Sequence, residues 1–198
     1  MDDVSAWRQI MSTTATTAIS LSSDFYLNNF YKSNRNAKKS SGRSEFTSTE
    51  LSYEDARALR RAVKQLESFS YSEDDNVENI RNSISAFVDT YNNALSSTEK
   101  DSSDAVKRYA KQLKKLASKY QDELEDIGIS MDAKKGTLTV SKNLLSAQKI
   151  DKLKGVFSKD SSNLLKDTQK LARRLGSNSY DELYTQLTGN GGKINITL

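Results

Sequence analysis

The sequence predicts a mainly α fold: an antiparallel helical bundle built on a long helical hairpin, with a small two-stranded β-hairpin at about residues 128–140. Three observations point there. Average usage would place roughly ten prolines in a chain of this length, yet these 198 residues contain none and only 8 glycines, so few devices remain to break a helix. Two stretches, about 74–95 and 104–127, repeat apolar residues at alternating steps of three and four, the spacing of one helix face. One segment, Ile129 to Val140, switches instead to a period of two around a polar turn, which is a strand signal. The apolar content of 35% suffices for one domain with a modest core.

Residues 1–45 read as an N-terminal segment. Trp7, Ile10, Met11, Ile19, Leu21 and the cluster Phe25, Tyr26, Leu27, Phe30 and Tyr31 flank a threonine-rich stretch whose β-branching lowers helix propensity. One weak helix or two short ones are expected, with the aromatic cluster anchoring onto the core. Residues 32–46, KSNRNAKKSSGRSEF, read as a flexible linker. Lys32, Arg35, Lys38, Lys39 and Arg43 would suit a phosphate-binding loop, but no stacking platform or groove-reading element accompanies them, which favours a solvated loop.

A bundle domain over 46–188 follows. Ser52-Tyr-Glu-Asp55 supplies a cap and early acids for a helix in which Ala56, Leu59, Val63 and Leu66 lead to Phe69. A second helix starts near Asp74 and carries Val77, Ile80, Ile84, Phe87, Val88, Tyr91 and Leu95. After a polar break from Ser96 to Ser103, a third carries Val106, Leu113, Tyr120 and Ile127, each seven apart, with Tyr109, Leu116 and Leu124 in the alternate rows. Two such stripes joined by a short loop predict an antiparallel hairpin. The stripes are expected to form the bundle core; the alternative leaves one row, or the tips of Tyr91, Tyr109 and Tyr120, for a second subunit.

The third helix stops at Ile127-Gly128. Ile129 and Met131, the turn Asp132–Gly136, then Leu138 and Val140 make the β-hairpin, and Ser141 caps a helix carrying Leu144, Leu145 and Ile150. Lysines inside the turn, with no Glu after it, argue against a calcium loop. Beyond Phe157, Ser161 or Ser162 caps a helix through Leu164, Leu165, Thr168, Leu171 and Leu175, ended by Gly176. Ser179-Tyr-Asp-Glu182 is a capping-box pattern for a separate short helix with Leu183, Tyr184 and Leu187. Residues 189–198 form a tail, Gly-rich and then alternating, read as a frayed end or an added strand.

Histidine and cysteine are both absent. That removes the usual base near neutral pH, the thiol nucleophile and the commonest zinc and haem ligands. Carboxylate-only or Ser-Lys chemistry stays formally open, but Lys, Ser and Asp are so abundant that pairs arise by chance. No catalytic, cofactor-binding or metal-ligating residue is therefore nominated, and the chain is expected not to be an enzyme. The net charge is +4, from 30 basic and 26 acidic residues, interspersed as on a solvated helical surface. No apolar run reaches membrane-spanning length, and Met-Asp-Asp, with no basic stretch before an apolar one, gives no expectation of a cleaved secretory signal.

Two phrases carry a family resemblance. Leu124–Phe157, LEDIGISMDAKKGTLTVSKNLLSAQKIDKLKGVF, has a helix ending in "IGI", a short hairpin, and a helix closing on Leu153-Lys-Gly-Val-Phe157. Phe87–Ser97, FVDTYNNALSS, precedes it. In this order and spacing they resemble the C-terminal helical region of the bacterial flagellar filament-cap (hook-associated protein 2) family, over about residues 77–175. The resemblance implies a structural, non-enzymatic axial component, exported without a cleaved signal to the flagellum and cell exterior. Its implied partners are its own copies or flagellin-like proteins met through helix–helix contacts, with no nucleic acid, membrane or cofactor. Only about forty residues follow Phe157, short of the family's further coiled coil, and its large β-rich domains have no counterpart. A shortened relative or the helical stalk alone is the expectation. The alternative is a cytoplasmic helical adaptor or export chaperone that binds a partner helix through an exposed heptad row.

Overall fold

A computed structural model describes residues 43, 46–72, 75–161 and 163–188. The chain divides into two compact units, Met1–Phe46 and Thr47–Leu198; the description below concerns the second. The expected N-terminal helices, the aromatic cluster, nearly all of the basic linker and the tail from 189 lie outside the described residues.

Four long helices make the frame: α1 (Ser48–Glu67), α2 (Val77–Lys100), α3 (Asp104–Lys119) and, after an excursion, α7 (Asn163–Thr188). The excursion consists of α4 (Gln121–Glu125), β1 (Ile129–Met131), β2 (Leu138–Val140), α5 (Lys142–Ala147) and α6 (Ile150–Phe157). The mainly α class with a small antiparallel hairpin is thus as the sequence predicts. What the heptad stripes did not disclose is the partner of highest contact: α1 packs most extensively, against both α2 and α7, and α3 closes the ring against α2 and α7.

Neighbours run antiparallel, as their side-chain pairs show. Along α1 and α7, Thr49 meets Gln186, Tyr53 meets Tyr180 and Ala56 meets Gly176. Along α3 and α7, Ser103 meets Glu182, Tyr109 meets Asn178 and Lys119 meets Asp167. The bundle is therefore up-down-up-down, with the excursion replacing the last loop.

Several boundaries differ from the sequence reading, each for a local reason. Helix α1 begins not at Ser52 but after Thr47, whose hydroxyl accepts from the Glu50 amide (3.3 Å) while the Glu50 carboxylate accepts from the Thr47 amide (2.8 Å), a capping box. Ser52 is buried instead. Helix α2 starts after Asn76, whose side chain accepts from the amides of Glu78 and Asn79, rather than near Asp74. It continues through the supposed break to Lys100, because Ser97 and Thr98 turn their hydroxyls back onto the Ala94 carbonyl and need no loop to satisfy them.

The third stripe is not one helix. It breaks at Tyr120 (φ −112°, ψ 19°), and α4 follows, which turns the chain into the excursion while keeping Tyr120, Leu124 and Ile127 buried. The expected single helix after Ser141 splits at Gln148–Lys149 into α5 and α6. Gly176 does not end the last helix, and Ser179 does not start another: α7 runs unbroken through both. A methyl on Gly176 would lie 3.7 Å from the Ala56 Cβ, an ordinary van der Waals contact, so the position is helix interior facing α1 with room for a methyl, not a terminus. Gly128 does behave as read, with φ +89° and a Cβ position 2.6 Å from the Leu144 Cβ.

One core unites frame and excursion. Ile80, Ile84, Phe87, Leu113, Leu124, Ile127, Ile129, Leu138, Leu153 and Phe157 belong to the same buried cluster. The Phe87 and Phe157 rings meet edge-on at 5.8 Å. Tyr71, in the loop after α1, takes φ +54°, a left-handed conformation costly for a residue with a Cβ. Its buried side chain offsets this, the hydroxyl lying 2.9 Å from the Leu66 carbonyl oxygen and 3.0 Å from that of Phe157.

Candidate functional site

Three polar arrangements stand out. At the end where α1 begins and α2 ends, Asp101 is buried and accepts from the Ser52 hydroxyl (2.6 Å), the Thr49 hydroxyl (3.1 Å) and the Ser103 amide (2.9 Å). Gln186 of α7 donates to Thr49, and Ser103 donates to Glu182. A serine hydroxyl beside a carboxylate resembles a nucleophile and its base, but Ser52 is fully buried, out of reach of a substrate carbonyl. The network is a clasp joining α1, the α2–α3 loop and α7.

The second arrangement fixes the β-hairpin to the bundle. Asn92 of α2 donates to the Leu138 carbonyl and accepts from the Leu138 amide, both at 2.8 Å. Given the register Ile129↔Val140, Ser130↔Thr139 and Met131↔Leu138, these backbone groups face outward from β2. The Asn92 amide thus takes the place of a third strand and occupies that edge. Next to it the Tyr91 hydroxyl lies 3.0 Å from the carbonyl oxygens of Leu113 and Gly136, and burial pushes this phenol well above the usual tyrosine range. In the turn, Asp132 accepts from the amides of Lys134 and Lys135 at 2.8 Å, and these bonds hold its carboxyl below the usual range. Arg81 reaches from α2 to the Ser146 and Gln148 carbonyls, tying down α5 and the link to α6.

The third lies on the α3–α7 seam. Asp167 accepts from the Lys119 ammonium (2.7 Å) and the Tyr120 hydroxyl (2.6 Å). The Lys119 bond, then that of Tyr120, lowers the Asp167 pKa, and the same carboxylate raises that of Lys119. Just above, Tyr120, Glu123, Asp126, Ile127, Asp151, Lys152 and Val156 line an open cleft of about 400 Å³. Tyr120, Ile127 and Val156 are its buried members. Its rim carries Glu123, Asp126 and Asp151 together with Lys152, which pairs with the Asp126 carboxylate at 3.9 Å and donates to the Asp126 carbonyl. Among the described residues no group of three or more carboxylates is arranged to hold a metal ion, and no helix is long and apolar enough to cross a membrane.

The tyrosines set aside for a partner are engaged within the molecule: Tyr91 with two carbonyls, Tyr109 accepting from Asn178 (2.7 Å), and Tyr120 donating to Asp167. All three are buried. Sequence reading missed Asp101 and Asn92. No local pattern flags them, because their partners lie 49 and 46 residues away. Compared with protein-family models, curated proteins and solved structures, the chain gives no significant match.

Proposed function

We propose that this chain is a non-enzymatic structural or assembly protein akin to the helical region of the flagellar filament cap, acting through protein contacts with its own copies or with flagellin-like proteins. One observation carries the reading. The two phrases that bear the resemblance, separated in sequence, pack together as one block: Phe87 on Phe157, Tyr91 at Gly136, Asn92 on Leu138. Their joint presence has a physical cause, since each completes the other's core and strand edge. The adaptor alternative rested on an exposed heptad row. Val106, Leu113, Ile80, Ile84 and Tyr91 are buried within the bundle, which supports the structural reading over one that needs these rows exposed.

Mass spectrometry and immunogold labelling of sheared flagella from the native cell test the proposal. The chain is expected in the filament fraction; confinement to the cytosol overturns it.

A further inference from the structure

Charge is unevenly distributed along α3, α4 and the first half of α7. Residues 104–119 carry six cations and one acid, and residues 163–174 four cations and one acid, whereas residues 121–126 carry four acids and no cation. The small net charge of the whole chain conceals this separation. Tyr109–Asn178 and Lys119–Asp167 bonds identify the edges of α3 and α7 that meet. By helical spacing, Arg108 and Lys115, seven apart, fall on the side of α3 that carries Lys119, with Lys111 further out on its exposed face; Lys170 and Arg174, four apart, fall on the side of α7 that carries Asp167. All five are exposed, and among the described residues none of them makes an ion pair. The acidic cleft continues the same seam, because Tyr120 and Asn163 line it just beyond Lys119 and Asp167. One face thus presents a basic half and, in line with it, a half of net negative charge in which Lys152 pairs with Asp126.

We propose that this α3–α7 face is a two-fold contact between copies of the chain, the cations of each copy lying against the Glu123–Asp126–Asp151 rim of the other. A two-fold interface is self-complementary: whatever patch i meets on its partner, the partner's patch i meets in return. Two adjacent patches of opposite sign satisfy that condition when the copies dock antiparallel. The cleft suits the occupant, since its buried members (Tyr120, Ile127, Val156) accept the aliphatic stem of a lysine or arginine whose charged head reaches the carboxylates. Such a contact rests on electrostatic complementarity and is screened by salt. It builds on the reading of the chain as a self-associating structural protein by naming the surface. Its test is separate, because where the chain resides in the cell has no bearing on whether this face pairs.

Sedimentation of the full chain is the experiment. The wild type is expected to dimerise at low salt, with dissociation strengthened about tenfold or more between about 50 mM and about 500 mM salt. The variants K115E/K170E/R174E and E123K/D126K/D151K, altered only at exposed positions, are each expected to be monomeric with unchanged circular dichroism. Mixed one to one, they restore the heterodimer, since both halves of the face are again matched. A wild type that stays monomeric at low salt overturns the proposal. So does a mixture that fails to associate, or a monomer whose basic face instead shifts a DNA fragment in a salt-dependent manner.

Discussion

Asp101 shows how one side chain can hold three segments. It is a buried carboxylate whose acceptor capacity is met by two hydroxyls and an amide, and a bond to a charged acceptor is stronger than a neutral one. Replacing it by alanine leaves the hydroxyls of Thr49 and Ser52 buried without their acceptor. Asp101→Ala is expected to cost roughly 2–4 kcal/mol, read as a lower urea midpoint. Glu54 presents the reverse case. It is buried on α1, and desolvation raises its pKa, with Arg57 and Arg61 opposing; its Oε2 has no hydrogen-bond partner among the described residues. A raised folded-state pKa means the native state holds this proton more tightly than the unfolded chain. Stability from this group is therefore fully present below the unfolded value, near ~4.3, and is lost as pH rises through the folded value. Glu54→Gln should raise the urea midpoint at pH 7 and flatten the loss of stability above about pH 4; an unchanged pH profile would refute the assignment.

At the level of elements, α7 is the sharpest case, because two local signals within four residues both announce a boundary that the fold does not make. Gly176 looks like a helix stop and Ser179-x-x-Glu182 like a start, yet the helix continues. The two interpretations predict opposite outcomes for simple substitutions. If Gly176 ended a helix in the left-handed conformation, alanine there would be strained; within a continuous helix, with 3.7 Å to Ala56, Gly176→Ala is expected to stabilise by roughly 0.5–1 kcal/mol. If Ser179 were a cap, its loss would cost about 1 kcal/mol. Its hydroxyl is instead buried with no partner among the described residues, so Ser179→Ala is expected to be neutral or stabilising. Thermal melts of both variants settle the matter. Gly128→Ala serves as the contrast: positive φ and a 2.6 Å clash with Leu144 predict a loss of about 1–3 kcal/mol.

On the scale of the whole molecule, the bundle and the excursion share one core, and Phe157 is where they join. Its ring packs on Phe87 and its carbonyl accepts from Tyr71, so it touches α2 and the α1–α2 loop together. Truncation to alanine should cost roughly 3–5 kcal/mol. Hydrogen exchange on the variant is expected to show protection falling in the hairpin and in the start of α2 alike. Loss confined to α6 would mean that the excursion is an independent appendage.

The sequence by itself determined the class of this fold, the hairpin and its turn, and the absence of histidine and cysteine chemistry. Periodicity, glycine at positive φ and composition act over a few residues and need no knowledge of the partner. It also contained the Thr47–Glu50 capping box, legible in principle three residues apart. Only the tertiary structure decided that α1 and not the heptad hairpin carries the largest interfaces, that α7 ignores its own stop signals, and that Asn92 completes a strand edge. It alone placed the charges of α3, α4 and α7 on one face. Those outcomes depend on contacts between residues tens of positions apart, where burial and hydrogen-bond satisfaction outweigh the tenths of a kcal/mol that local propensity supplies.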